Sequence, residues 1–378
     1  MSIKTTATLL SLAVVTVAAI SACDRGDERC VPGPGKICTY LGTGEAGLND
    51  DGLDREDTQL YLPQDLTIAA DGLAYVLDWN NHRIITVGPD DTVKQVVGTG
   101  ELGDAPDGEA EYTNLNHPTH LSNSPTGTLI ISAWHNSKII EYDTKRGTLT
   151  TICGNGMRSY AGDEGPAKDA ILDLPVATAF DAQGNMYITD QANQRIRKVG
   201  TDNIIHTFVG NGMAGFSGDD GPAEAAQIKL PGGQSAPPAG RLAIDGAGNI
   251  FLADSGNHRI RKIDPEGVIT TYAGNGDPTF GGDGGPALKA SLSRPSDIDL
   301  DPDGNLYIAD TDNSCVRKVD TKGVITTVAG QCGSPGYGGD GGRATAALLD
   351  RPYGVEFEDD LLYIADTHNH RIRVVGLE

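Results

Sequence analysis

This sequence predicts an all-β chain folded as a six-bladed β-propeller, and three observations carry the prediction. From residue 37 onward the sequence repeats with a period of about 56 residues. Each repeat holds four short, β-branched runs separated by turn residues. The last repeat stops after its third run and the missing fourth stands near the start of the chain, so five whole copies and one split copy make a ring of six.

The repeat is anchored on Pro63, Pro118, Pro175, Pro231, Pro295 and Pro352, with spacings of 55, 57, 56, 64 and 57. After each proline come a β-like run, a turn and a second run. That second run ends in Asp78, Asp190, Asp254, Asp310 or Asp366, with Ala133 in the second copy. In the fifth copy Asp297–Leu300, Leu306–Ala309, Val316–Val319 and Val324–Ala329 are the expected strands a, b, c and d. The a–b turn, Asp301–Asn305, supplies the Gly and Asx residues that a tight hairpin needs. Residues 37–41, followed by Gly42-Thr43-Gly44, match the strand-d pattern of Val324–Gly330 and Val268–Gly276. An unclosed ring would leave bare strand edges, so this N-terminal strand is expected to complete the C-terminal blade of four antiparallel strands.

The 378 residues include 52 Asp+Glu against 29 Lys+Arg, a formal net charge of −23, with 38% hydrophobic residues and 50 glycines. That composition supports a full core and argues against disorder. No Lys/Arg-rich run occurs, and a surface of this sign repels phosphate. Nucleic acid is therefore excluded as a partner, and anionic membrane surfaces are disfavoured as direct electrostatic targets.

Residues 1–22 read as a signal peptide: Lys4 is followed by an apolar run from Leu9 to Ala22. Such a run is too short to span ~30 Å of hydrocarbon but suits a signal core. Ile20-Ser21-Ala22-Cys23 resembles the lipobox of bacterial lipoproteins. The resemblance implies lipid attachment at Cys23, with the membrane contacted only through that lipid. It also implies a place in the bacterial cell envelope, facing the periplasm or the cell exterior. Residues 23–36, charged and then rich in Pro and Gly, are the expected anchor and flexible tether, leaving 37–378 as the propeller.

The phrases DWNNHRI, DSGNHRIRKI and DTHNHRIRVV resemble the NHL repeat. The GNG…GDGGPA connectors resemble those of bacterial and teneurin-type NHL propellers, over residues 37–378. The resemblance implies the fold, but the family holds both binding modules and enzymes, so function must come from particular residues.

The recurrent pairs Asp78/Arg83, Asp190/Arg195, Asp254/Arg259 and Asp366/Arg371 read as structural, the carboxylate taking turn N–H groups and the Arg offering it a planar fork. His82, His258 and His370 share one turn position in three blades and read as surface-turn residues, with no other metal ligands beside them. The long connectors, such as Gly210–Ala223 and Gly274–Ala287, lack the Lys of a phosphate loop, and Asp219-Asp220 and Asp283 lack a calcium-loop spacing. With the b–c turns they are expected to form a recognition surface on one face for a protein or glycan ligand.

Symmetry breaks in the innermost strands. Asp65, His120, Asp297, Asp299 and Glu356 come from consecutive blades and could gather on one side of the axial channel. An oxygen-rich cluster there would suit Ca²⁺. Similarity to the six-bladed gluconolactonase and paraoxonase group implies that such an ion would polarise an ester or lactone. No catalytic residue is assigned. The first reading is a membrane-anchored, extracytoplasmic binding or scaffold module, and the alternative is a Ca²⁺-dependent hydrolase, lactonase or lyase acting in the channel. Among the cysteines, Cys315 and Cys332 are expected to pair, Cys30 and Cys38 could pin the tether to the closing strand, and Cys153 reads as a buried apolar residue.

Overall fold

The computed structural model describes residues 32–233 and 237–377. Their strands form six antiparallel sheets. In blade 5 strands a to d are Asp297–Leu300, Leu306–Asp310, Cys315–Val319 and Ile325–Ala329, within a residue of expectation. The first strands of successive blades lie side by side around an axis, and that of blade 6, Gly354–Glu358, lies beside that of blade 1, Asp65–Ile68. Ile37–Leu41 pairs with Arg371–Gly376 as the fourth strand of blade 6, with Ile37 opposite Val375. The ring is thus closed by hydrogen bonds between the two ends of the chain.

The core lies between blades, in six layers, because every sheet has neighbours on both faces. In blade 5, Leu306 and Ile308 pack toward blade 4, while Tyr307 and Ala309 on the opposite face pack toward blade 6. This explains why the strands read as continuous apolar runs and not as an alternation. The long connectors do not stand off as free loops. They fold back along the outer strand of the next blade, where Gly108–Glu109, Gly165–Pro166 and Gly221–Pro222 each add a two-residue fifth strand. Ala287, Ala290 and Leu292 then turn inward to fill the layer between blades 4 and 5. The exposed edge of strand d is covered by this arrangement. Gly274 makes the connector's tight turn possible: its φ is +92°, and a Cβ there would stand 2.5 Å from the His258 carbonyl oxygen.

The repeated charges are structural, but the pairing differs from expectation. In blades 3 to 6 the strand-b aspartate pairs with the Arg seven residues on, not five: Arg197–Asp190, Arg261–Asp254, Arg317–Asp310 and Arg373–Asp366, at 3.2–3.3 Å. Each of these buried guanidiniums also binds a connector carboxylate: Asp163, Asp219, Asp283 or Asp340. The arginine therefore fastens the connector to its blade, which is the role of Asp219 and Asp283. The Arg five residues on lies instead over an aromatic ring of the connector, Arg195 over Tyr160 and Arg259 over Phe216, at 3.9 and 4.0 Å. Only in blade 1, where Ile85 occupies the inner position, does the expected pair form, Arg83–Asp78 at 2.9 Å.

The three histidines also differ from their surface reading. His82, His258 and His370 adopt left-handed backbone with φ of 50–56°. Each Nδ1 accepts an N–H from the next blade, of His117, Arg294 and Leu62 respectively. They are half-buried or buried staples between blades. Cys315 and Cys332 form a disulfide 17 residues apart in sequence. Replacing both with serine should lower the unfolding free energy by about 3 kcal/mol in urea titration, the loop-closure value for a segment of this size. Cys153 is a free, buried thiol that burial pushes up to about 12. Cys38 is disulfide-bonded. Cys30, with which it was expected to pair, lies outside the described residues, as do Cys23 and the whole of the leader.

Candidate functional site

The a-strands present their alternate side chains to the axis, and the predicted acidic residues do converge there. Asp65 accepts the N–H of Leu121 at 2.7 Å, Asp297 that of Val355 at 2.8 Å, and Asp299 that of Phe357 at 2.7 Å. Each carboxylate thereby also ties its blade to the next. The cation between them belongs to the chain itself. Arg241, from blade 4, reaches across the axis and donates from Nη1 to Asp65 and Asp297, both at 2.8 Å. Its Nη2 donates to the carbonyls of Gln64 and Thr119, at 2.8 and 2.6 Å. Gly354 makes room for it, since a Cβ there would meet Arg241 Nη1 at 3.1 Å and the Gln64 carbonyl at 2.5 Å.

Arg241 is 2% exposed and closes the channel on the side of the b–c turns, here called the top. Beneath it lies a polar chamber of about 230 Å³, lined by Asp65, Thr67, His120, Ser122, Asp299 and Glu356 among others. Thr67 donates to Glu356 at 2.7 Å, and the Ser122 and Thr178 hydroxyls stand 2.7 Å apart. Burial pushes Asp65 up to about 7, against the pull of Arg241 and with a push from Asp297. Asp299 is likewise pushed up to about 7 by burial. Glu356 is raised well above the usual range by burial and then by Asp299. Burial and Arg241 hold His120 well below the usual imidazole value, so it is neutral. Among the described residues no group of three or more His, Cys, Asp or Glu side chains has a geometry that could hold a metal ion. The acidic cluster is arranged about a guanidinium and as a set of acceptors for neighbouring strands. The sequence analysis gives Arg241 no role. Its charge, opposite to that of Asp65 and Asp297 in the same register, was the available signal.

Directly above the Arg241 plug, a second cavity of about 350 Å³ opens to the top face. Gln64, Trp79, Trp134 and His135 line one side, and Arg294, Arg351, Tyr353 and His368 the other, with Pro237 and Pro238 also in its wall. Those prolines belong to the longest spacing in the repeat, 64 residues between Pro231 and Pro295. Sequence reasoning missed this cavity, although that spacing and the two tryptophans marked it. The residue following strand b staples each of the other blades to its neighbour. Gln191, Ser255, Thr311 and Thr367 donate to the carbonyls of Pro231, Pro295, Pro352 and Pro63, at 2.5–2.9 Å. In blades 1 and 2 that position is Trp79 and Trp134, and neither indole N–H has a hydrogen-bond partner. Two staples, each worth about 1 kcal/mol, are replaced by aromatic walls.

Residues 34–217 and 273–337 match the family described as the teneurin NHL domain. The chain belongs to that family. This NHL propeller is 28% identical to Teneurin-m of Drosophila melanogaster over 375 residues, which cover 90% of the chain and 13% of that protein. It is 27% identical to the chloroplastic protein Suppressor of Quenching 1 of Arabidopsis thaliana over 289 residues, 74% of the chain and 26% of that protein. The chain thus spans a small part of the length of both curated relatives. In three dimensions it resembles an auxiliary nutrient binding protein from Bacteroides thetaiotaomicron, at a TM-score of 0.64 and 16% identity, over 90% of this chain and 76% of that one. At that identity the likeness is one of fold.

Proposed function

We propose that this NHL propeller is an extracytoplasmic binding module, held to the bacterial envelope by a lipid on Cys23, which takes a protein or glycan ligand at its top face. The observation that carries the reading is the departure from symmetry at Trp79 and Trp134. Two of six equivalent positions give up a staple between blades and line a cavity, and local rules are broken in this way where function requires it. The rival calcium-dependent hydrolase would have to work among carboxylates already engaged by Arg241 and by backbone N–H groups. The nutrient-binding description of the Bacteroides protein is in keeping with a ligand-binding propeller.

Two measurements test the reading. Metabolic labelling with a fatty acid should mark the wild-type chain and fail in Cys23→Ser; equal labelling of both would sink the anchor. Envelope proteins and glycans captured by the full chain should be lost by Arg351→Glu, a cavity variant with a half-exposed side chain. Capture that is indifferent to this change would move the ligand away from the top face. A calcium-dependent lactonase activity abolished by Asp299→Asn would return the site to the channel.

A further inference from the structure

We infer that the top-face cavity is a site for an acidic pyranose, a sugar ring carrying a carboxylate. This rests on the binding reading above and names the chemistry of its ligand. The first observation is charge. In a chain of net charge −23, the ionised side chains lining this cavity are Arg294 and Arg351. Asp312 bridges both, at 3.2 and 3.6 Å, so the pair keeps one net positive charge and offers guanidinium forks at the rim. Burial holds His368 below the usual imidazole value, so it is a neutral hydrogen-bonding group. A planar guanidinium matches a carboxylate in bidentate fashion, and here it would do so beside a low-dielectric wall.

The second observation is the wall itself. Trp79 and Tyr353 give aromatic walls, joined by His135, which stacks on the buried Trp134 at 4.1 Å between ring centroids, and polar groups are interspersed with them. Gln64 Oε1 and the Trp134 indole N–H are unpartnered just behind this wall, on side chains only 3% and 1% exposed. Buried polar groups without partners are costly, and a ligand hydroxyl met by a rotation of the Gln64 amide would relieve that cost. Aromatic faces alternating with donors and acceptors suit a ring whose C–H faces are apolar and whose edge is hydroxylated. A flat hydrocarbon acid would leave those polar groups unsatisfied. The volume of about 350 Å³ lies at the lower end of ligand pockets and suits one or two sugar rings.

The chain has two tryptophans and both line this cavity, so tryptophan emission, excited apart from that of the 12 tyrosines, reports on its wall. The experiment titrates the full chain with trisaccharides of galacturonate, glucuronate and mannuronate, and with their neutral methyl esters. At least one acid form should give a saturable change in emission at an affinity tenfold or more above that of its ester, weakening as salt is raised. Arg351→Gln, with an unchanged melting temperature, should bring the acid down to the level of the ester. Equal affinity for acid and ester, or no response to any of the acids, overturns the inference. If the sugars fail while Arg351-dependent capture from the envelope persists, the binding module stands and its ligand is of another class; if capture fails too, both fall.

Discussion

Replacing Arg241 with methionine lowers the unfolding free energy by about 3–5 kcal/mol at pH 8, the expected loss when one partner of a buried ion-pair network is removed. The side chain is 2% exposed and is the cation for both Asp65 and Asp297. Without it two desolvated carboxylates face one another, and the carbonyls of Gln64 and Thr119 lose their donor. The cost arises less from the lost attraction than from the charges left behind. Adding Asp65→Asn and Asp297→Asn should therefore recover most of it, and the loss should shrink at pH 5, where Asp65 is protonated. Urea titration of the single and triple variants checks this. A single variant within 1 kcal/mol of the parent would mean that Arg241 is not the keystone of the channel.

Stability should fall as pH rises from 5 to 8, and Glu356→Gln should flatten that slope. Asp65 and Asp299 are pushed up to about 7 in the folded chain, and burial raises Glu356 well above the ordinary carboxylate range. Unfolded carboxyls titrate near 4, so between these values the native state binds more protons than the unfolded one. The resulting stabilisation is complete below about pH 4 and is lost as pH passes through 7. Asp190, pushed up to about 7, and Asp254, Asp310 and Asp366, each pushed up to about 6 by burial, act in the same direction. A glutamine at 356 keeps an acceptor for Thr67 and removes a buried charge. At pH 8 the variant should be more stable than the parent by about 1–2 kcal/mol, with little difference at pH 5. Thermal melts across this range decide it, and a slope unchanged by the substitution would refute the assignment.

The fold was legible because it is written six times. Prolines, glycines and strand-ending aspartates recur at near-constant spacing, and the split sixth copy shows in the text of the chain. Contacts between blades were not legible. Arg195 and Arg197 share one face of their strand, and the folded connector decides which of them meets Asp190 by setting Tyr160 over Arg195 and Asp163 beside Arg197. Periodicity places both on the strand but cannot rank them. His82, His258 and His370 looked like solvent-facing turn residues because their partners lie some 35 residues away, or at the far end of the chain. The convergence of Asp65, Asp297 and Asp299 is readable from register, but the reach of Arg241 across the axis to Asp65 is a matter of side-chain length and channel width that periodicity does not carry. The upper cavity went unseen for a related reason. Attention to what repeats obscures what fails to repeat, and Trp79 and Trp134 matter as exceptions to the row formed by Gln191, Ser255, Thr311 and Thr367.

The closing strand also sets an order of events during synthesis. Ile37–Leu41 precedes its partner, Arg371–Gly376, by about 330 residues of chain. At roughly 5–20 residues per second the early strand waits some tens of seconds with both edges bare. Blades 1 to 5 each contain their own four strands, whereas the circle cannot shut until Arg371–Gly376 has been made. A prematurely terminated chain would carry an orphan strand at its head and an unfinished sheet at its tail, two edges suited to pairing with other chains. Synthesis of Arg371–Gly376 is thereby the event that hides them.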